Sequence, residues 1–342
     1  MSVVLVTGGS GFVGTHCIVR LLEMGHSVRT TVRNRNRQAD VLRTLAEAGI
    51  DGGDRLSFHV TDLLAEAGWK EALAGCDYVL HVASPFPATA PTSADELIRP
   101  AREGTLRVLR LARDAGVRKV VITSSSVAIM YGHPPQTARF DETVWTHVEG
   151  RYVTAYAKSK TLAEQAAWDF LETEGGQLRM TVINPVGIFG PVLSKDLSAS
   201  VLLIKMMLEG KMPAMPRISF GVVDVRDVAA LHIRAMEDPA TDNERFLAVA
   251  DGILSFEEIA YLLKDQLGER ARKVSTRTLP DWTIRLIAIF SRQARGALAE
   301  IGHIKQASNE KAKGLLKWQP RSKEESILAT ARALLDKGFI EL

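Results

Sequence analysis

The chain has 342 residues, 46% hydrophobic and 24% charged, an ordinary globular composition with room for two lobes and a sizeable core. A net charge of +3 is too small to argue for a nucleic-acid or membrane-surface partner, and no run approaches the roughly 18 apolar residues of a membrane span. Two cysteines, Cys17 and Cys76, suit a reduced cytoplasmic protein better than a disulfide scaffold, though one bridge between them is conceivable. No Cys/His cluster has zinc-ligand spacing, so no metal is expected. The opening Met-Ser-Val-Val-Leu has no basic n-region, so no signal peptide is expected.

Short apolar runs at 3–6, 27–32, 56–60, 78–82, 119–123 and 180–183 read as buried strands. Helical patterns at 14–24, 39–48, 69–74, 96–114 and 156–173 lie between and after them. Such alternation predicts an α/β chain, a Rossmann-type doubly wound parallel sheet. After residue 185 the pattern breaks at Pro185, Pro191, Pro213 and Pro216. Residues 1–184 are therefore expected to bind a dinucleotide. Residues 185–342 form a smaller, mainly substrate-binding lobe, with 222–224 and 245–248 returning as strands.

The first strand runs into Thr7-Gly8-Gly9-Ser10-Gly11-Phe12-Val13-Gly14, and a helix follows. Glycines there permit a tight turn and let backbone N–H groups approach a pyrophosphate at the helix N-terminus. Gly8, Gly9, Ser10, Gly11, Phe12 and Val13 are thus the candidate phosphate cradle. An NAD site usually carries an acidic residue at the end of the second strand. This chain has Arg33, with Arg35 and Arg37 close behind. A guanidinium binds a 2′-phosphate where a carboxylate would repel it, so the expected cofactor is NADP(H), held mainly by Arg33 and assisted by Arg35 or Arg37.

Tyr156 and Lys160 stand four residues apart on a predicted helix and project from one face. A phenol is a poor proton donor near neutrality, and a neighbouring ammonium favours its ionised form. The pair is a candidate acid–base device for making or breaking a carbonyl.

With these motifs in order, the chain resembles the extended short-chain dehydrogenase/reductases, and more narrowly the dihydroflavonol 4-reductase and cinnamoyl-CoA reductase group. Thr30-Thr31-Val32-Arg33, Thr61-Asp62-Leu63, His81-Val82-Ala83-Ser84-Pro85 and Val121-Ile122-Thr123-Ser124-Ser125 each resemble that group's segments. So do Asp141-Glu142-Thr143-Val144-Trp145, the helix from Tyr156, Val225-Arg226-Asp227-Val228-Ala229 and Leu316-Lys317-Trp318-Gln319-Pro320. The resemblance implies that Asp62 and Leu63 contact adenine, although Asp62 could equally cap a helix. It implies that Val82, Ala83 and Ser84 touch the adenosine ribose and phosphates. Thr123 joins the cofactor-contacting residues, and Pro185, Gly187 and Ile188 lie against the nicotinamide. Of three consecutive serines it selects Ser125 as the group that orients the carbonyl oxygen, with Ser126 next. Tyr156 becomes the general acid and Lys160 the ribose clamp.

Phe86 to Pro91, Met130-Tyr131-Gly132 and the Met-rich stretch 205–215 are expected to wall the substrate pocket. Phe86, Ser125, Met130, Tyr131 and Tyr156 are the substrate candidates. Dihydroflavonol reductases carry an asparagine five residues after the catalytic serine, where this chain has Met130. That departure argues against a flavonoid and for an apolar ketone, aldehyde or steroid-like alcohol. His81 reads as a packed core histidine, and His133 and His147, which could reach the substrate, as surface residues first. A 3β-hydroxysteroid dehydrogenase, a sugar-nucleotide epimerase or dehydratase, and a non-catalytic NADP-sensing module share the fold. Arg33 speaks against the epimerase, and intact Ser125, Tyr156 and Lys160 against the sensor. A monomer and a homodimer fit equally.

Overall fold

A computed structural model of the chain describes residues 1–84, 93–134, 138–290, 298, 300–302 and 304–340. Its centre is a seven-stranded parallel sheet. The strands are β1 (Val3–Thr7), β2 (Ser27–Val32), β3 (Leu56–Val60), β4 (Tyr78–His81), β5 (Lys119–Thr123) and β6 (Arg179–Pro185), joined by β11 (Glu244–Ala248). Their order is β3-β2-β1-β4-β5-β6-β11. The chain winds outward from β1 in one direction and from β4 in the other, so the topological switch lies between β1 and β4. Ligands bind at such a switch, beyond the carboxyl ends of the strands.

Alternation along each strand explains why both faces are covered. Val4 and Val6 face one side, where α1 (Phe12–Glu23) presents Cys17, Ile18 and Leu21 and α7 (Val225–Glu237) presents Val228 and Leu231. Leu5 faces the other side, with α3 (Trp69–Leu73), α4 (Asp95–Asp114) and α5 (Ala155–Thr173). Each fully buried aliphatic side chain contributes roughly 1.5–3 kcal/mol. Helix α2 (Asn36–Glu47) packs beside α1. The doubly wound sheet is the architecture that the strand–helix alternation predicts.

The C-terminal half contributes both to this sheet and to a second core. β11 extends the sheet beside β6, with Phe246 opposite Ile183. β7 (Gly187–Phe189) and β10 (Val222–Asp224) instead form a separate parallel pair. β8 (Met215–Pro216), β9 (Ser219–Phe220), β12 (Leu254–Ser255) and β13 (Thr278–Leu279) are two-residue strands of the lobe. Around them lie α6 (Ala199–Leu208), α8 (Phe256–Leu267), α9 (Asp281–Phe290) and α11 (Lys323–Asp336), while α10 (Glu310–Leu316) packs beside β11 on the main sheet. Phe189, Ile204, Met207, Leu208, Ile259 and Ile327 fill the lobe's own core. Cys17 and Cys76 are buried free thiols, so no disulfide joins them. No described helix is long and apolar enough to cross a membrane, and no described His, Cys, Asp or Glu cluster could hold a metal.

Candidate active site

The glycine turn is shaped by close backbone approach. A Cβ on Gly9 would lie 1.9 Å from Thr30 Oγ1, and one on Gly14 would lie 2.4 Å from the Gly8 carbonyl oxygen. Gly8 has φ +69, and a Cβ there would meet Ala83 Cα at 3.0 Å. Side chains do not fit this hollow. No side chain caps α1 at Gly11, so its first-turn N–H groups face the turn, as an anion requires.

Thr7 ties the two halves of the switch together. Its hydroxyl accepts the Ala83 N–H at 3.0 Å and shares a 2.9 Å hydrogen bond with His81 Nδ1. Burial, reinforced by the Lys160 ammonium, pushes the His81 pKa down to about 3, so the imidazole is neutral. The sequence reading of His81 as a packed histidine holds, and its sensitivity to Lys160 brings α5 to the carboxyl end of β4. Val82 and Ala83 are half-buried and Ser84 is exposed on the same edge.

Arg33 emerges from the end of β2 exposed and without a carboxylate partner among the described residues. Arg35 is exposed beside it, at the start of α2. Arg37 is engaged: it donates to Ser10 Oγ at 3.3 Å and forms an ion pair with Asp196. Asp62 closes its own turn by accepting the Leu64 N–H at 2.8 Å rather than capping a helix. Leu63 packs toward Gly104 of α4.

Ser125 follows β5 by two residues and is buried. Its hydroxyl accepts the Val127 N–H at 3.4 Å, capping a single 3-10 turn, Ser126–Ala128. Thr123, which ends β5, donates at 2.7 Å to His232 Nε2, because Nδ1 of that ring gives its proton to the Val228 carbonyl at 2.8 Å. Helix α5 begins where Thr154 Oγ1 accepts the Ala157 N–H at 3.1 Å. Tyr156 and Lys160 therefore occupy its first two turns. Tyr156 is 42% exposed, open to a ligand, and Lys160 is half-buried. Pro185, Gly187 and Ile188 follow at the end of β6 and in β7, with the Gly187 N–H bonded to Gly221 O at 3.1 Å.

Beneath the serines lies a network absent from the sequence reading. Glu164 accepts Ser124 Oγ at 2.5 Å, Asn184 Nδ2 at 2.7 Å and Arg245 Nε at 2.6 Å, all buried. Asn184 also donates to the Ser125 carbonyl at 3.2 Å. Arg245 lies 3.7 Å over the Trp145 ring, and Glu142 accepts the Leu247 N–H at 2.7 Å. The Asp141-to-Trp145 motif thus clamps β11. Glu164 stands four residues after Lys160, and that spacing was the available signal.

A cavity of about 770 Å³ opens beside this edge, lined by Met130, Tyr131, Phe140, Leu298 and Ile301 together with charged groups. Of the substrate candidates, Met130 and Tyr131 line it, and Ser125 and Tyr156 do not. Tyr131 donates to Glu300, and burial, then Glu300, lifts its pKa well above the phenol value. His133 lines the cavity rather than the open surface. Phe86 to Pro91 lie outside the described residues. The 205–215 stretch does not line the cavity. Met207, on the inner face of α6 toward α11, and Met215, in β8 beside α8, are fully buried in the lobe core, and Met206 points to solvent.

The profile of the NAD dependent epimerase/dehydratase family matches residues 4–249. Cinnamoyl-CoA reductase CAD2 of Medicago truncatula is 33% identical over 353 residues, covering 100% of this chain and 98% of that protein. Ketoreductase azaE of Aspergillus niger is 33% identical over 299 residues, 81% of this chain and 86% of that protein. Gre2 of Candida albicans, solved in complex with NADPH, has a TM-score of 0.81 at 25% identity over 98% of this chain and 99% of that one. The chain belongs to the NAD dependent epimerase/dehydratase family, the extended short-chain dehydrogenase/reductases. Within it the chain falls in the dihydroflavonol 4-reductase and cinnamoyl-CoA reductase-like group, and it is an NADP(H)-dependent oxidoreductase acting on a small molecule. The side-chain-free hollow, the uncapped α1 and the unpaired Arg33 fit that cofactor.

Proposed function

We propose that the protein reduces a ketone or aldehyde on a largely apolar small molecule, with Tyr156 delivering the proton. The observation that carries this reading is the placement of Tyr156 and Lys160 on the first two turns of α5, beside the Ser125 turn and the β1/β4 switch. NADPH bound along that edge supplies the hydride. Gly8, Gly9, Ser10, Gly11, Phe12 and Val13 cradle the pyrophosphate through backbone N–H groups. Arg33 takes the 2′-phosphate, with Arg37 secondary. Asp62 and Leu63 border the adenine, and Val82, Ala83 and Ser84 the adjoining ribose and phosphates. Thr123, Pro185, Gly187 and Ile188 border the nicotinamide end.

Ser125 orients the carbonyl oxygen as a preset donor. Tyr156 protonates the developing alkoxide, and Lys160 holds both the phenol and the ribose hydroxyls. Glu164 and Asn184 act through others, fixing the serine segment. In this division residues 1–184 bind cofactor, and residues 185–342 mainly close over substrate while returning β11 to the sheet. Met130 stands where a flavonoid reductase has an amide, so that position offers no partner for ring hydroxyls. Aromatic or aliphatic ketones and aldehydes fit better.

The test is a panel of such carbonyls, with steroids and dihydroflavonols included, assayed with NADPH and NADH. Turnover of apolar carbonyls with NADPH preferred supports the reading. NADPH consumption by none of them would sink it.

A further inference from the structure

We infer that the substrate carries an anionic group, a carboxylate or a phosphate, apart from its carbonyl, and that Arg151 and Arg285 receive it. The inference rests on the reductase reading above. It corrects the sequence expectation of a purely apolar pocket. The charged side chains that line the cavity are Arg151, Arg285 and Lys305, and no described Asp or Glu lines it.

The three cations are not equivalent. Lys305 is balanced by Glu300 at 2.8 Å, the same carboxylate that takes the Tyr131 hydroxyl, and its ammonium lies 4.3 Å from the Tyr131 ring centroid. Arg151 and Arg285 are exposed, and neither has a carboxylate partner among the described residues. Arg151 lies over the Tyr152 ring at 4.7 Å instead.

The chain leading to Arg151 is anchored to the cavity wall: Thr146 N–H to Ala128 O at 2.9 Å, His147 N–H to Tyr131 O at 3.0 Å, and Tyr131 N–H to Thr146 Oγ1 at 2.9 Å. Tyr152 adopts φ 64, which an L side chain rarely does without compensation. Arg285 reaches the same cavity from a separate element, α9 of the C-terminal lobe. Two guanidinium forks facing one cavity suit a planar carboxylate or a phosphate, each able to take paired N–H donors. The walls contributed by Met130, Phe140, Leu298 and Ile301 take an apolar body between anion and carbonyl.

The test compares β-benzoylpropionate and its longer homologues, their methyl esters, and para-acetylphenyl phosphate, each with NADPH. Wild type is set against the Arg151→Gln/Arg285→Gln double variant. At least one anion should exceed its neutral counterpart by about tenfold in kcat/KM, through KM, and the advantage should shrink as ionic strength rises. The double variant should bring the ratio close to one. Acid or phosphate preference identifies which anion is meant. Esters turned over as well as acids by wild type, or a ratio that survives in the double variant, overturns the inference while leaving the reductase reading intact. No turnover of any carbonyl, neutral ones included, overturns both. If the double variant does not fold, Arg151→Lys and Arg285→Lys keep the charge and lose the fork, and the wild-type ratio with its salt dependence decides.

Discussion

The cofactor edge and the substrate cavity are built in opposite ways. At the edge, shape comes largely from backbone: Gly14 lies against the Gly8 carbonyl and Gly8 against the Ala83 Cα, with no room for another carbon. In the cavity, shape comes from side chains of segments far apart, Met130, Arg151, Arg285 and Ile301 among them. A backbone-built site tolerates few residues and so prints a motif. A side-chain-built site can be assembled from almost any sequence that brings the segments together.

Tyr156, exposed on the first turn of α5, belongs to neither set, and its substitution should have the largest effect on activity. Tyr156→Phe should cut turnover by about 10²–10⁴-fold, the usual worth of a general acid. NADPH titrated by fluorescence should bind as before, because the phenol is placed outside the glycine hollow. Near-normal turnover by the variant would move the proton donor elsewhere.

Acid should strike the cofactor side first. Burial pushes His81 down to about 3 and His16 and His232 down to about 4, from 6.5. A folded-state pKa below the unfolded one means that the unfolded chain takes up the proton first. Stability is therefore full above about pH 6.5 and lost as pH falls from there toward 4. Three such groups amount to on the order of 4 kcal/mol one pH unit below that upper limit. Glu142 and Asp227, raised by burial, act in the opposite sense, nearer the carboxylate range. Thermal unfolding followed between pH 8 and about 5 checks the slope. A flat profile would mean that these histidines are charged in the folded state.

Two glycines sharpen the contrast between crowded and open backbone. Gly9→Ala drives a carbon into Thr30 and should cost roughly 1–3 kcal/mol or more, with NADPH binding impaired. Gly314→Ala, in α10 with nothing within 4 Å, should instead stabilise by up to about 1 kcal/mol. Melting temperatures of the two variants moving together would remove the packing explanation.

This contrast also sets what could be read in the sequence. The six early strands and the glycine turn follow from apolar periodicity and from backbone that only glycine permits. Tyr156 and Lys160 were legible because helix spacing alone puts them on one face. Glu164 carries the same four-residue spacing from Lys160 but was not read, because a carboxylate inside a helix reads as a surface residue until Ser124, Asn184 and Arg245 are folded around it. The 205–215 methionines misled for a related reason. Their helical stripe is equally a pocket wall or a core face, and only the packing of α8 and α11 decides for the core. Arg151 and Arg285 lie 134 positions apart, and no local pattern joins them.

The smallest expected effect separates two arginines that the sequence treats alike. Arg33 has no carboxylate to leave, whereas Arg37 is already held by Asp196 and touches Ser10. A guanidinium with an internal partner gains only the difference between that partner and a phosphate. Exposed pairs differ by no more than about 1 kcal/mol. Arg33→Asp should therefore weaken NADPH by about tenfold or more while sparing NADH, since it replaces attraction to the 2′-phosphate by repulsion. Arg37→Ala should weaken NADPH by less than about fivefold, with NADH again unchanged. Binding titrations with both cofactors separate the cases. Equal losses from the two substitutions would show that Asp196 releases Arg37 to the phosphate at no cost, and that the two arginines share the phosphate.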